Sequence, residues 1–178
     1  LRETRTLDST LIEAIQHQAR AFRISPNRLL LGYAALFYAR LAGVREEIVI
    51  NLPVSGRSNH DHPQSIDMRS NVVPVRIKIP RGGSLLDFLY EERTAMRMVL
   101  PHQKFRQEEM VSEFLGRQDP VTFSINVMEF DSPPELTELT TRTFNLSNGP
   151  IGNLALAIYP DFSKRKVDID LDGNAALY

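Results

Sequence analysis

Apolar positions recur at mostly helical spacing early in the chain and at strand spacing late in it. Leu11, Ile12, Ile15, Ala19 and Phe22 follow a helical period, and Thr10 with Glu13 has capping-box spacing. This pattern predicts an amphipathic helix opening at Thr10, with Leu7 stapled onto Leu11. In SPNRLLLGYAALFYARLAG, Ser25 stands as N-cap, Pro26 at the first helical position and Gly43 just past the end. That segment is apolar on nearly every face, which predicts a central helix. EIVINLPV, residues 47–54, reads as a strand buried on both faces, and Val73, Val75, Ile77 and Ile79 alternate with Pro74, Arg76 and Lys78 in a one-sided strand. Residues 55–70 between them form a polar loop. Ser84 with Asp87 opens a helix running to about Leu100, and Met110, Val111, Phe114 and Leu115 mark a shorter one closed by Gly116.

The period then becomes two: Val121, Phe123, Ile125 and Val127, then Leu154, Leu156 and Ile158, then Val167, Ile169 and Leu171. Helices followed by strands in this order predict an α/β fold with helices packed on a mixed β-sheet. A chain of 178 residues, 42% hydrophobic and without internal repeats, is read as one globular unit.

Charge removes several partners. With 21 basic and 22 acidic side chains the net charge is -1, so no overall field draws in nucleic acid or an acidic membrane. The absence of cysteine excludes disulfides, a thiol nucleophile and thiolate metal sites. The apolar run Leu29–Leu41 is too short to span about 30 Å of hydrocarbon. LRETRTL carries no apolar signal core, so a cytoplasmic location is expected, and the missing initial methionine fits a fragment of a longer polypeptide or, equally well, processing.

Candidate chemistry is sparse. His60 and His62 flank Asp61 at a spacing that places two imidazoles on one metal only in a strand, whereas Asn59 and Pro63 argue for a solvated loop. DIDLDG, residues 168–173, imitates the opening of an EF-hand loop, but its flanks read as strand, so Asp168, Asp170 and Asp172 are expected to face solvent. No metal site is predicted. Phosphate-loop, dinucleotide, zincin and serine-hydrolase signatures are absent. His17 falls on the polar side of the first helix. His102, in PHQKFRQEEM, follows a helix end beside Gln103, Glu108 and Glu109, any of which could hold it. A structural role or a catalytic base both remain open for it on pattern alone.

Four stretches together resemble the condensation domains of nonribosomal peptide synthetases, in the superfamily that includes chloramphenicol acetyltransferase. GYAALFYARLAGVREEIVINLPVSGR is similar to the family's buried helix, glycine turn and strand ending in P-V-x-G-R. MRSNVVPVRI is similar to its N-V-x-P-x-R strand, and HQKFRQEEM to its H-Q motif in the H-Q-x-[YF]-R version. FNLSNGPIGNLALAIYPDFSKRKVDIDLDGNAALY resembles the closing strands with their N-x-x-L-Y ending. The H-Q-x-[YF]-R version is similar to domains that take an aryl or other starter acyl group, as in siderophore-type assembly lines. Two features depart from the family: the loop SNHDHPQSID lacks the expected glycine and small residues, and Gly152-Asn153 stands where an acidic pair is usual.

The resemblance covers the whole chain but only the second half of the family's unit, and the H-H-x-x-x-D-G motif of the first half occurs nowhere here. It implies a C-terminal lobe, residues 1–178, of a two-lobed acyltransferase that joins a carrier-bound donor thioester to a carrier-bound acceptor amine. This lobe would hold no catalytic residue and bind no cofactor of its own; phosphopantetheine arms would arrive on donor and acceptor carrier proteins. The N-terminal lobe and an adjacent adenylation domain are the other implied partners. The resemblance matches Arg57, Asn71 and Arg76, and His102 with Gln103, to motif positions. It puts Ser124, Asn126 and Ser147 near the lobe junction or substrate channel, makes Asn71 either a tunnel-wall donor and acceptor or a tie for its loop, and has Arg57 poised for a carboxylate of the other lobe and Arg76, His102 and Gln103 structural. Alternatives are a non-catalytic docking lobe and a coenzyme A dependent acyltransferase of the same superfamily.

Overall fold

The computed structural model describes residues 1–56, 69–110, 112–113, 123–128, 145–146 and 151–177. Its first element, strand β1 (Arg2–Thr6), is one that the apolar pattern does not mark. Helix α1 (Ser9–Phe22) follows, and its N-cap is Asp8, not Thr10. The Asp8 carboxylate accepts from the Leu11 amide at 2.8 Å and from the Thr10 hydroxyl, and these bonds hold its pKa below the usual value. A carboxylate there satisfies an orphan amide and meets the positive end of the helix, so the Thr10–Glu13 box is displaced. Leu11 is consequently exposed, while Ile12 is fully buried.

Helix α2 (Pro26–Leu41) has the predicted start: the Ser25 hydroxyl accepts from the Arg28 amide at 3.3 Å ahead of Pro26. It is central only in part. Leu29 to Ala35 and Ala39 supply its buried side, yet Phe37 and Leu41 are exposed. Strands β2 (Glu47–Val54) and β3 (Asn71–Lys78) pair antiparallel, setting Ile48, Ile50 and Leu52 opposite Ile77, Val75 and Val73. Helix α3 (Leu85–Val99) starts with the predicted Ser84–Asp87 capping box. A 3-10 turn (Leu100–His102) and the short α4 (Gln107–Met110) come next. Most of the helix expected at 110–115 lies outside the described residues.

Strands β4 (Phe123–Val127), β5 (Leu154–Asp161) and β6 (Lys166–Gly173) complete a six-stranded sheet in the order β1-β6-β5-β4-β2-β3. The β2–β4 and β4–β5 pairs are parallel and the others antiparallel, which is the mixed sheet the pattern predicts. One face carries Ile50, Val75, Ile125, Ile158 and Val167 into a core shared with Ile12, Leu29, Ala35 and Phe88 of the helices. No described helix covers the other face. Between α2 and α3 sits an ion pair in which Arg28 Nη2 donates to Glu92 Oε2 at 2.6 Å.

Candidate functional site

Two places on the sheet gather the polar groups, and they lie on opposite faces. The first is the corner where β2 ends and β3 begins. Gly56 has φ +63, and a Cβ built on it would stand 1.8 Å from the Arg69 carbonyl oxygen. Only glycine fits, which accounts for the glycine in P-V-x-G-R: it lets the chain leave β2 hard against the residue that leads into β3. Asn71, 8% exposed, is the first residue of β3. Its Nδ2 donates to the Gln103 carbonyl at 2.9 Å and the Phe105 carbonyl at 2.6 Å, and its Oδ1 accepts from the Gln107 amide at 3.2 Å. Both side-chain donors and one acceptor lone pair are thus spent on the backbone of the H-Q segment. Arg106 Nη1 donates to the Ser70 carbonyl at 3.1 Å from the same segment.

His102 closes the 3-10 turn with its side chain exposed, and its carbonyl accepts from the Phe105 amide at 2.9 Å. Gln103 contributes its carbonyl to Asn71. Arg76 stands apart on the surface, 3.8 Å from Glu47. Arg57 and Ser147 lie outside the described residues, as do His60 and His62.

The second place is the sheet face that no described helix covers. The register sets Asn51 opposite both Pro74 and Ser124, then Ser124 opposite Ala155 and Asn126 opposite Ala157. Ser124 Oγ donates to the Asn51 carbonyl at 3.3 Å. Next across β5 come Asp172 opposite Ala155, and Asp170 opposite Ala157. Two small side chains, Ala155 half-buried and Ala157 2% exposed, therefore separate a hydroxyl and amide on one side from carboxylates on the other.

Those carboxylates do not face solvent, contrary to the expectation for DIDLDG. Asp170 is 7% and Asp172 6% exposed. Arg2 Nε and Nη2 reach Asp172 Oδ1 and Oδ2 at 2.6 and 2.8 Å, and the Thr4 and Thr6 hydroxyls donate to Asp170 at 2.7 Å and Asp168 at 2.6 Å. The hydrogen bonds from Arg2 to Asp172 raise the guanidinium pKa further. Arg2 also donates to the Asn145 carbonyl, and the Asn145 amide donates to the Tyr159 hydroxyl, whose pKa burial raises. Missing β1 hid these partners. The signal was available: Arg2, Thr4 and Thr6 alternate in step with Asp172, Asp170 and Asp168. Asn174, in the N-x-x-L-Y ending, also escaped notice as a single residue. Its Nδ2 donates to the Gly152 carbonyl at 3.0 Å and its Oδ1 accepts from the Ala176 amide at 2.9 Å, which fastens the last strand to the start of β5.

The chain is similar in sequence and fold to known proteins. A sequence model of the condensation domain matches residues 2–176. The dimodular nonribosomal peptide synthase of Bacillus subtilis (strain 168) is 27% identical over 100% of the chain, and the isonitrile lipopeptide synthase of Streptomyces coeruleorubidus 26% over 97%. The chain spans only 8% and 12% of these relatives' lengths. The first condensation domain of the calcium-dependent antibiotic synthetase, in complex with a substrate analogue, superposes with a TM-score of 0.87 at 25% identity. The starter condensation domain of rhizomide synthetase in complex with C8-CoA does so at 0.78 and 27%. Each match covers 100% of this chain and 40% of the solved one.

Proposed function

Because this chain belongs to the condensation-domain family, we propose that residues 1–178 are the C-terminal lobe of a condensation domain that forms amide bonds in a nonribosomal peptide synthetase. The observation that carries the reading is the polar strip on the sheet face that no described helix covers. Ser124 and Asn126 stand half-buried beside Ala155 and Ala157 of β5, where a narrow chain of amides finds donors and acceptors. A phosphopantetheine arm has that shape and chemistry, and it arrives as part of the substrate on a donor or acceptor carrier protein.

In this reading the acceptor amine attacks the carbonyl carbon of the donor thioester. The C–N bond forms, the C–S bond breaks, and the thiol leaves on the donor arm with the proton the amine gives up. A histidine of the N-terminal lobe orients or deprotonates that amine. This chain holds the substrates in line, which is where proximity contributes to rate. Asn71 acts through the backbone of the H-Q segment, Arg57 pairs with a carboxylate of the other lobe, and Ser147 adds a polar group at the lobe junction. An adenylation domain charges the acceptor carrier.

The donor is a starter acyl group, aryl or aliphatic, as in siderophore-type assembly lines. The H-Q-x-F-R form of HQKFR supports this, and so does the similarity to a starter domain crystallised with C8-CoA. That complex also favours a second reading, an acyltransferase acting on a diffusible coenzyme A thioester.

The test is amide formation from two charged carrier proteins. The full-length enzyme should turn over with an acyl donor lacking an α-amino group, and the isolated 178 residues should not. Product from the isolated chain would overturn the assignment of the base to the other lobe. Equal rates with coenzyme A and carrier-bound donors would favour the second reading.

A further inference from the structure

The polar row on the sheet face that no described helix covers is not equally accessible along its length. Ser124, Asn126 and Ala155 are half-buried, whereas Ala157, Asp170 and Asp172 are buried. A cover therefore lies over the β6 side of the row, and three residues build it. Arg2 places Nε and Nη2 on Asp172 at 2.6 and 2.8 Å and turns Nη1 to the Asn145 carbonyl. Tyr159 follows Ala155 and Ala157 on the same face of β5. Its hydroxyl accepts from the Asn145 side-chain amide and is hydrogen-bonded to Asp170. Asn145 is thus held between Arg2 and Tyr159, above the two buried aspartates.

This cover is fixed from beneath. The Arg2 guanidinium meets Asp172 as a bidentate fork, and the Thr4 hydroxyl pins Asp170 at 2.7 Å. Asn145 cannot retreat toward β6 without breaking those bonds, so an acyl chain lying along Ser124 and Ala155 meets a boundary instead of a yielding loop. The boundary is also polar, being made of a guanidinium, a carboxamide and a phenol. Tyr159 Oη keeps one lone pair beyond the two bonds it makes. A hydroxyl on the acyl group can donate to it, whereas an alkyl tip pressed against the same groups displaces water and returns no hydrogen bond.

We propose that Arg2, Asn145 and Tyr159 form the end wall of the substrate path, and that Asn145 and Tyr159 select a compact, hydroxyl-bearing acyl group over a long alkyl chain. This rests on the reading above that the strip takes an acyl-pantetheine arm, and it adds the class of donor and the residues that choose it. Arg2 is a positioning residue, acting through the Asn145 main chain.

The experiment uses the full-length enzyme and donor carrier protein loaded with hydroxybenzoyl, benzoyl or octanoyl groups, with calorimetric binding of the matching acyl-pantetheine thioesters measured beside turnover. Wild type should favour hydroxybenzoyl over the other two by at least tenfold in kcat/KM and bind the thioesters in the same order. Tyr159→Phe, which removes only the hydroxyl and should leave thermal unfolding unchanged, erases the advantage of hydroxybenzoyl over benzoyl, chiefly through KM. Asn145→Ala, which shortens the wall but keeps the main-chain bond to Arg2, improves octanoyl relative to hydroxybenzoyl at least tenfold. Arg2→Lys, which keeps the charge and loses the fork, moves that ratio in the same direction, a change that a purely structural role would not produce. Equal preference in wild type, or an order of donors unchanged in both Tyr159→Phe and Asn145→Ala, would overturn the wall while amide formation leaves the proposed function standing. Failure of all three thioesters to bind would overturn it too. If no donor yields amide yet the thioesters bind in an order that Tyr159→Phe and Asn145→Ala alter as described, the wall stands and the catalytic reading fails.

Discussion

Asn71 stands at a motif position and looks like a substrate-facing amide, yet its hydrogen bonds go to main-chain groups of the H-Q segment. Removing it takes a side-chain partner from two carbonyls and one amide. Asn71→Ala is expected to cost about 2–3 kcal/mol, read by denaturant titration. Asn71→Asp is the sharper probe. A carboxylate keeps the bond from Gln107 but turns acceptor lone pairs toward the Gln103 and Phe105 carbonyls, so it should destabilise at least as much as alanine. Rescue by aspartate would show that the donors do not matter. Glu92 is a different case. It is 1% exposed, its Oε1 has no hydrogen-bond partner, and burial raises its pKa while the bond from Arg28 pulls it back. With the folded pKa above the unfolded one, its contribution to stability is full at low pH and lost as pH rises through the folded value. Glu92→Gln should therefore gain on wild type between about pH 4 and pH 7, measured by chemical denaturation at both. Glu92→Ala, which takes away the acceptor of both the Arg28 Nε and Nη2 hydrogen bonds, should lose about 3 kcal/mol.

Among the elements, β1 shows where sequence reading stops. The large helices and the apolar strands were legible because burial imprints a period, and Ser25, Pro26 and the Ser84–Asp87 box marked ends that the structure reproduces. β1 has no apolar period, since the groups it sets against β6 are Arg2, Thr4 and Thr6, and its stability comes from complementary side chains on β6, more than 160 residues away. Long-range polar pairing leaves its trace in two segments at once, and neither half reads as a strand alone. The same gap misplaced Asp170 and Asp172 in solvent. Arg2→Ala tests this pairing: it should destabilise the protein by about 2–3 kcal/mol, because Asp172 is left buried without its bidentate partner. Amide exchange should speed up along Thr4–Thr6 first. A change confined to residue 2 would mean that β1 is held by its backbone ladder alone. Motif matching marked Asn71 and Gln103, and the resemblance marked Ser124 and Asn126 on the polar side of their strand, but neither said which side of the sheet each group takes, so neither could separate a braced corner from a polar strip.

For the molecule as a whole, the sheet divides the labour. One face is closed by α1, α2 and α3 around a shared core, and the opposite face carries a largely buried row running from Asn51 through Ser124 and the two alanines to the Arg2–Asp172 pair. Folding energy comes chiefly from the first face, so the second is free to be shaped by a ligand or another lobe. That separation makes Ser124 a decisive position. Its side chain is half-buried and, among the described residues, bonds to the Asn51 carbonyl at 3.3 Å, a long contact whose loss costs little stability. Ser124→Phe fills the strip above Ala155 without touching the helical core. In the full-length enzyme it should reduce amide formation by at least tenfold while thermal unfolding and carrier binding stay as in wild type. Undiminished turnover would move the substrate path off this face, and joint loss of turnover and carrier binding would make the strip part of the carrier's own seat.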